Sequence, residues 1–157
     1  MHMFLPGSEV ATALDRVTKE QIQPAGVDLT VDAVWELDQA GELDFSNEHR
    51  RVPEGRELAF KTPLHLSPGA YVVRYGQKVS VPADCMGLVL PRSSLMRMGA
   101  TLTSAIWDPG YSGQGRGLLI VMNPHGIILH PNARIGQLTL IRGRATGAYS
   151  GTYQHEK

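Results

Sequence analysis

The sequence predicts an all-β protein, a sandwich, jelly roll or barrel, that carries one short helix. Its 17 glycines and 10 prolines are scattered along all 157 residues, so the segments between them are short. Short segments separated by Gly and Pro turns are typical of many strands. The chain has the usual length of one domain and is 42% hydrophobic, which is enough for a single core.

Two segments near the N-terminus have a clear periodicity. Residues 8–17 place three apolar side chains at helical spacing, and Ser8 stands where a helix cap belongs. From residue 27 to residue 37 apolar and polar residues alternate, which predicts a strand with one buried face. Asp28 falls on the polar face of this predicted strand.

The rest of the chain predicts further strands and two irregular segments. Residues 38–56 are polar and charged and predict a long loop, and residues 144–157 predict a flexible C-terminal arm. Pro or Gly turns separate most of the strands predicted between these two segments. These strands are residues 57–60, 71–75, 78–81, 85–90, 118–122, 127–129 and 135–141.

The overall charge and the cysteine count exclude several classes of protein. Fifteen basic residues balance 15 acidic residues, which argues against a general binder of nucleic acid or of anionic membranes. A single cysteine, Cys85, excludes an intrachain disulfide and a cysteine-rich zinc site, including the zinc-deaminase type. No apolar run is long enough for a bilayer and the N-terminus lacks a signal-peptide pattern, so we expect a soluble, cytoplasmic protein.

The neutral total conceals an asymmetry along the chain. Residues 1–84 contain 13 acidic and 8 basic residues, whereas residues 85–157 contain 2 acidic and 7 basic residues. Between Asp84 and Glu156 the one side-chain carboxylate is Asp108, and the same stretch contains six arginines. Chance in a small sample can produce such a pattern, and so can a site for an anionic substrate.

Residues 91–99 follow a predicted strand and can open a short helix that ends at Gly99. Ser93 and Ser94 then lie where the N-cap of this helix belongs, beside the guanidinium group of Arg92. Free backbone N–H groups, hydroxyls and a guanidinium group at one point suit a phosphate. The alternative, which the spacing alone favours, is a capped turn with a surface arginine.

Residues 107–113 contain Asp-Pro-Gly, which is a strong signal for a β-turn. Asp108 can serve that turn alone, or it can activate a water molecule beside an anionic substrate. Tyr111 can stack on a ring of the substrate or simply cover the turn. Gln137, near the start of a later predicted strand, can donate to a phosphate or be a solvated strand residue.

Four segments in this order resemble the motifs of the dUTPase and dCTP deaminase superfamily, and within it those of the archaeal-type dUTPases. The segments are residues 23–29 (QPAGVDL), 92–95 (RSSL), 107–113 (WDPGYSG) and 133–138 (ARIGQL). Each motif is weak by itself, and their common order makes the signal strong.

The resemblance implies a jelly-roll-like distorted β-barrel with one or two short helices. It also implies a homotrimer in which active sites are shared between subunits. Asp108 matches the acid that activates water for attack on the α-phosphate of dUTP, which gives dUMP and pyrophosphate. Arg92, Ser93, Ser94 and Gln137 match the phosphate-binding residues of the family.

The same resemblance implies a metal residue and a nucleoside site. Asp28 matches the acid that helps to place Mg²⁺, usually through water, with triphosphate oxygens as the direct ligands. Tyr111 matches the aromatic residue that packs against the deoxyribose and excludes a 2′-hydroxyl. Thr103, Ser104 and Ala105 match the region that forms the uracil pocket, largely through backbone groups.

The deaminase branch of the superfamily has a glutamate on the strand after the third motif, three residues before an asparagine. Here the asparagine is Asn123 and the matching position is Ile120, and no Asp or Glu occurs from Pro109 to His155. The resemblance therefore favours dUTP hydrolysis over dCTP deamination or a bifunctional enzyme. The last residues look like the start of a deaminase-type tail, so a catalytically weak nucleotide-binding trimer is a further alternative.

Overall fold

The computed structural model describes residues 3–157 and shows a protein built mainly from strands. The twelve strands in this range are β1 (Ile22–Gln23), β2 (Gly26–Glu36), β3 (Arg56–Glu57), β4 (Leu64–Leu66), β5 (Gly69–Tyr75), β6 (Val79–Ser80), β7 (Cys85–Pro91), β8 (Ala100–Thr103), β9 (Ser112–Gly113), β10 (Arg116–Val121), β11 (Ile127–Leu129) and β12 (Arg134–Arg142). The helices are α1 (Gly7–Val10), α2 (Ser93–Arg97) and the 3₁₀ turns Ala11–Ala13 and Lys19–Gln21. Nowhere in residues 3–157 is a helix long and apolar enough to cross a membrane.

Six of the strands form one antiparallel sheet that curls into a nearly closed barrel. Their order across the sheet is β7, β12, β2, β5, β10 and β8, and each neighbouring pair is antiparallel. Trp107, just after β8, makes an antiparallel bridge with Gly87 in β7, the strand at the opposite edge of the sheet. The bridge brings the two edges together. The predicted all-β barrel with short helices is confirmed.

The core of the barrel is filled by side chains from its long strands. Val27, Leu29 and Val31 of β2 are fully buried, because this strand lies between β12 and β5 near the middle of the sheet. The rings of Tyr75 and Trp107 pack inside the barrel with their centroids 5.8 Å apart. Trp107 is the residue directly before Asp108, so the packing of the core fixes the backbone at this position.

The helix predicted at residues 8–17 is wrong in its length and in its cap. α1 ends at Val10, and Pro6 rather than Ser8 occupies the N-cap position. After a 3₁₀ turn the backbone of Leu14 is extended, with φ −121° and ψ 151°. Leu14 forms a β-bridge with Val79, so a long-range backbone contact ends the helix that the spacing predicts.

The strand predicted at residues 27–37 is confirmed as β2, and Asp28 alternates with the core residues Val27 and Leu29 as predicted. The face that carries Asp28 is, however, covered at this position. Asp28 is only 2% exposed, whereas Asp32 in the same strand is exposed. Two arginine side chains, Arg92 and Arg134, lie against the Asp28 carboxylate. Alternation along one strand cannot reveal that neighbouring segments cover one end of its polar face.

Most of the other predicted strands are present. β11 has the predicted ends, and β5, β6, β7, β10 and β12 have shifted ends. The strand predicted at residues 57–60 is wrong except for Glu57, which belongs to the two-residue β3. β8 is not predicted, because it has four residues of which only Leu102 is large and apolar. The loop predicted at residues 38–56 is irregular in the structure, apart from a bridge between Glu42 and Arg51 and its last residue, Arg56, which lies in β3.

Candidate functional site

The residues predicted to bind phosphate lie where β7 ends and α2 begins. Arg92 occupies the N-cap position with φ −66° and ψ 146°, and its amide donates to the carbonyl of Ile135 at 3.0 Å. This bond extends the pairing of β7 with β12 and fixes where Arg92 leaves the sheet. Ser93 and Ser94 are the first two helical residues, not the N-cap as predicted, and both are exposed. Gly99, with φ 76°, follows the helix as predicted.

Asp28, Arg92 and Arg134 form one compact group of charges, which we call the Asp28 cluster. Oδ2 of Asp28 lies 2.9 Å from Nε of Arg92 and 3.3 Å from Nη1 of Arg134. The Asp28 side chain is 3% exposed, while the side chains of Arg92 and Arg134 are 30% and 36% exposed. Nη1 of Arg92 also donates to the carbonyl oxygen of Arg134 at 3.2 Å. The cluster joins the first, second and fourth of the sequence motifs.

The charges of the cluster favour an anion. Burial raises the pKa of Asp28, and the positive charges of Arg92 and Arg134 act in the opposite direction. With the carboxylate ionised, two guanidinium groups and one carboxylate leave one net positive charge. Gln137 lies directly opposite Asp28 in the pairing of β12 with β2, so their side chains are neighbours on one face of the sheet. An anion bound by Arg92 therefore has an amide donor close by.

The turn predicted at Asp108 is present. The amide of Tyr111 donates to the carbonyl of Asp108 at 3.0 Å, and Gly110 has φ 80°, as a type II turn requires at its third position. Trp107 exchanges two backbone hydrogen bonds of 2.8 and 2.9 Å with Gly87. The turn is therefore attached to the barrel through β7, and Asp108 follows directly from this attachment.

Asp108 is one of the residues that line an open cavity of about 240 Å³. Its side chain is exposed, and among residues 3–157 we find no cation at ion-pair distance from it. A carboxylate without a partner can accept a proton from water. Other residues that line the cavity are Met86, Ile106, Ile141, Arg142 and Arg144.

Asp108 and the Asp28 cluster lie at different ends of β7. Trp107 pairs with Gly87 near the start of β7, whereas Arg92 follows the last residue of the strand. The distance from Gly87 to Arg92 along the strand is about 16 Å at roughly 3.3 Å per residue. The Arg92 side chain is moreover turned toward β2, the second strand from β7 in the sheet. One chain therefore does not place Asp108 and Arg92 around the same phosphate group.

Tyr111 is buried, and part of its surroundings comes from the C-terminal arm of its own chain. Its ring centroid lies 5.6 Å from that of Trp107 and 5.6 Å from that of Tyr149. The hydroxyl of Tyr111 donates to Oε1 of Glu156 at 2.8 Å. Burial first, and then this bond to Glu156, raise the pKa of Tyr111. The side chain predicted to contact a deoxyribose thus contacts the arm in this structure.

The C-terminal arm, residues 144–157, lies along the turn at Asp108. Two backbone hydrogen bonds of 2.7 Å and two side-chain bonds of 3.0 Å from Gln154 hold it there. The bonds are Tyr149 N to Pro109 O, His155 N to Ser112 O, Ser112 N to Gln154 Oε1, and Gln154 Nε2 to Gly110 O. The arm therefore covers the residues that follow Asp108.

Sequence reasoning did not identify three of the residues that build these regions, namely Arg134, Gln154 and Glu156. Arg134 lies within the fourth motif, but the resemblance gives it no role. Gln154 belongs to the spaced Tyr and Gln residues of the tail, and that spacing is the one feature of the sequence that draws attention to the tail. Nothing in the sequence indicates that Glu156 contacts Tyr111, because the two residues meet only in the folded chain.

The residues predicted to form a uracil pocket lie between β8 and Trp107. Thr103 is the last residue of β8, with an exposed side chain. The hydroxyl of Ser104 donates to the carbonyl of Ala105 at 3.0 Å. Ser104 and Ala105 belong to no strand, so sheet pairing does not occupy their backbone groups. The chain between β8 and Trp107 is short, so these residues lie only three to five positions before Asp108 in the sequence.

The Mg²⁺ role predicted for Asp28 does not fit the groups that surround it. Two guanidinium groups lie within 3.3 Å of its Oδ2, and its side chain is 3% exposed. Mg²⁺ requires a near-octahedral shell of oxygens and usually keeps several waters, and two arginines repel a third cation. Among residues 3–157 no group of three or more His, Cys, Asp or Glu side chains is arranged to hold a metal ion.

Comparison with protein families and sequences gives a consistent assignment. The model of the family described as dCTP deaminase-like matches residues 5–143. A protein of Halobacterium salinarum described as "Probable deoxyuridine 5'-triphosphate nucleotidohydrolase" is 40% identical over 160 residues, which cover 99% of this chain and 96% of that protein. A protein of Aeropyrum pernix with the same description is 42% identical over 98% of this chain and 99% of its own length.

Comparison with solved structures shows the same fold. A 2'-deoxycytidine 5'-triphosphate deaminase from Agrobacterium tumefaciens superposes with a TM-score of 0.71 at 19% identity. The superposition covers 91% of this chain and 49% of the deaminase chain, so this chain spans about half the length of that deaminase. The chain is also similar to a native EIAV dUTPase, with a TM-score of 0.53 at 17% identity over 96% of both chains.

Proposed function

The chain belongs to the dCTP deaminase-like family, and from this membership we propose that it hydrolyses dUTP to dUMP and pyrophosphate. The observation that carries the proposal is Asp108, a carboxylate that pairs with no cation among residues 3–157. It is also the one acid in the sequence between Asp84 and Glu156. The description of the 40% identical relative from Halobacterium salinarum supports the same activity.

In the proposed reaction Asp108 accepts a proton from a water molecule, and the oxygen of that water attacks the α-phosphorus of dUTP. A bond forms between that oxygen and the phosphorus, and the bond from the α-phosphorus to the bridging oxygen of the β-phosphate breaks. Pyrophosphate leaves with the electron pair of that bond. The exposure of Asp108 and the open cavity beside it support this role, because water can reach the carboxylate.

The phosphate groups of dUTP are proposed to bind at the Asp28 cluster and at the start of α2. Arg92 supplies a guanidinium group that forms paired bonds with phosphate oxygens. Ser93 and Ser94 supply hydroxyls and the backbone N–H groups of the first helical turn, which have no acceptor within a helix. Gln137 adds an amide donor from the opposite strand. The net positive charge of the cluster supports this assignment.

Deamination of dCTP is disfavoured by the residues of β10. Ile120 stands at the position where the deaminase branch has a glutamate, and it pairs with Ala70 and Thr101 inside the sheet. The Asn123 side chain stabilises the local turn, because it donates to the carbonyl of Met98 at 3.0 Å and accepts from the amide of His125 at 3.0 Å. The sequence from Pro109 to His155 contains no Asp or Glu that could take the place of that glutamate in moving protons at the pyrimidine ring.

The complete site is proposed to form between copies of the chain in a homotrimer. Asp108 of one copy would then face Arg92 of another, which resolves their separation along β7. Exposed apolar side chains next to the Asp28 cluster support an interface there, since Leu90 is 59% exposed and Met96 is 61% exposed. We expect this assembly in the cytoplasm, with no nucleic acid or membrane partner.

The nucleoside is proposed to bind beside Asp108, against Tyr111 and the backbone of residues 103–105. Tyr149 and Glu156 contact Tyr111 in the structure, so nucleotide binding in this position requires the arm to change place. A segment held mainly by hydrogen bonds at the surface is well suited to such a movement. Mg²⁺ enters the proposal as a partner of the nucleotide, because phosphate oxygens and water are its preferred ligands.

Incubation of the protein with dUTP, dCTP and UTP, with separate assays for pyrophosphate and ammonia, tests the proposed function. We expect pyrophosphate from dUTP, little from UTP and no ammonia from dCTP. Ammonia from dCTP would show a deaminase, because only loss of the exocyclic amine releases it. A failure to release pyrophosphate at saturating dUTP, combined with tight dUTP binding, would instead support the catalytically weak trimer.

A further inference from the structure

We propose that Asp28 is a positioning residue, which holds the guanidinium group of Arg92 in place for phosphate and does not serve a metal ion. The inference rests on the proposed function only for the identity of the phosphate, which is that of a nucleotide. It explains why the acid of the first motif is buried against two arginines. It also gives Arg134, to which the sequence motifs assign no role, the function of supporting Asp28.

The geometry of the cluster supports this role. One carboxylate oxygen, Oδ2 of Asp28, lies 2.9 Å from Nε of Arg92. The far end of the same guanidinium donates to the carbonyl of Arg134 at 3.2 Å. A planar guanidinium group that is held at two of its nitrogens has one orientation, and its remaining N–H groups keep a fixed direction. Preorganised donors lose less entropy when they bind an anion.

Asp28 also stands on a rigid part of the fold. At this position β2 pairs with β12, where Gln137 lies opposite Asp28, and β1 pairs with the neighbouring Val27. Nε2 of the buried Gln21 donates to the Asp28 carbonyl at 2.8 Å. A supporting residue on such an element places its partner more precisely than a residue on a loop does. Arg134 completes the support, because its Nη1 donates to the Asp28 carboxylate at 3.3 Å.

The charge balance favours an anion over a metal ion at this point. Asp28 cancels one of the two arginine charges, so Arg92 and Arg134 can approach each other without strong repulsion. A divalent cation placed beside the carboxylate would meet both guanidinium groups, and the 3% exposure of the side chain leaves little room for the water shell of Mg²⁺. The nucleotide, rather than Asp28, then supplies the metal ligands.

Asp32 offers a matched control. It lies on the same strand and is also paired with an arginine, since its Oδ2 is 2.6 Å from Nη2 of Arg74. The Asp32 side chain is 39% exposed, and its partner has no part in the proposed phosphate site. Asp32→Asn therefore removes the same charge from the same strand but leaves the Asp28 cluster intact.

The test is a double-mutant cycle on nucleotide binding without metal. The dissociation constant of α,β-imido-dUTP is measured by calorimetry in EDTA for the wild type, Asp28→Asn, Arg92→Gln and the double variant. We expect Asp28→Asn to raise the dissociation constant of the analogue about tenfold. This is the lower end of the effect usually seen when a residue that orients a binding group is removed. We expect the double variant to bind within about twofold of Arg92→Gln, because Asp28 acts through Arg92. Asp32→Asn should bind like the wild type.

A second series adds Mg²⁺ and separates the two roles of Asp28. If Asp28 positions Arg92, Mg²⁺ strengthens binding by the same factor in the wild type and in Asp28→Asn. Unchanged metal-free binding in Asp28→Asn, together with loss of the Mg²⁺ effect, would overturn the inference. Additive effects in the cycle would also overturn it.

Two further controls keep the outcome clear. Thermal unfolding shows whether each variant folds, and if Asp28→Asn does not, Asp28→Glu replaces it in the cycle, since it keeps the charge but displaces the carboxylate. A wild type that does not bind the dUTP analogue contradicts the proposed function itself. A wild type that binds it, with an additive cycle, contradicts only the inference about Asp28.

Discussion

Asp108→Asn is expected to lower kcat for dUTP by about 10²- to 10⁴-fold, the usual contribution of a general base. Asn has nearly the same shape as Asp but cannot accept the proton of the attacking water. The affinity for the nucleotide should change little, because the substitution leaves the proposed phosphate donors, Arg92, Ser93 and Ser94, in place. Steady-state kinetics and binding of α,β-imido-dUTP to the variant measure the two effects separately.

Asp84→Asn is the matched control for this prediction. Asp84 is an exposed carboxylate next to Cys85, which lines the same cavity as Asp108, and its Oδ2 pairs with Nε of Arg142 at 2.9 Å. It is not part of the proposed machinery, so its variant should keep wild-type turnover. Near-normal kcat in Asp108→Asn, or an equal loss in both variants, would remove Asp108 from the role of base.

The variants Asp108→Asn and Arg92→Gln are each expected to lose dUTP hydrolysis, and a mixed assembly of the two is expected to regain part of it. Asp108→Asn lacks the base, and Arg92→Gln lacks the main phosphate donor, but each chain keeps the residue that the other has lost. If every site takes Asp108 from one copy and Arg92 from another, an equal mixture contains intact sites. The chance that both residues are intact is one half times one half, so about a quarter of the wild-type sites should work.

The mixture is prepared by co-expression or by joint refolding, and its dUTP turnover is compared with each variant alone. Mixed samples of Asp108→Asn with wild type show how an inactive chain dilutes activity without complementation. A mixture of the two inactive variants that stays inactive would place Asp108 and Arg92 of the same chain in one site. That result would contradict the arrangement deduced from their separation along β7.

The all-β fold could be predicted from the sequence, because turn residues and strand periodicity are local signals. The turn at Asp108 is such a case, since Asp-Pro-Gly defines its geometry almost alone. The helix predicted after Ser8 failed for the opposite reason. Its pattern is local, but a β-bridge between Leu14 and Val79 decides the structure.

The surroundings of Asp28 and Tyr111 could not be predicted, because they depend on residues far away in the sequence. Alternation placed Asp28 on a polar face, while the fold covers it with Arg92 and Arg134. The polar composition of residues 144–157 predicts a flexible arm, and it contains no signal that Glu156 reaches Tyr111. Such contacts arise from tertiary packing, and the spacing of apolar and polar residues along the chain contains no information about them.

Hydrolysis of dUTP in H₂¹⁸O, followed by mass spectrometry of the products, tests the central claim most directly. Attack of an Asp108-activated water on the α-phosphorus puts one ¹⁸O atom into the phosphate of dUMP and none into pyrophosphate. We expect this labelling in the wild type, at a rate that falls with the loss of kcat in Asp108→Asn. Label in pyrophosphate would show attack at the β-phosphorus, and unlabelled products or no turnover would contradict the proposed hydrolysis altogether.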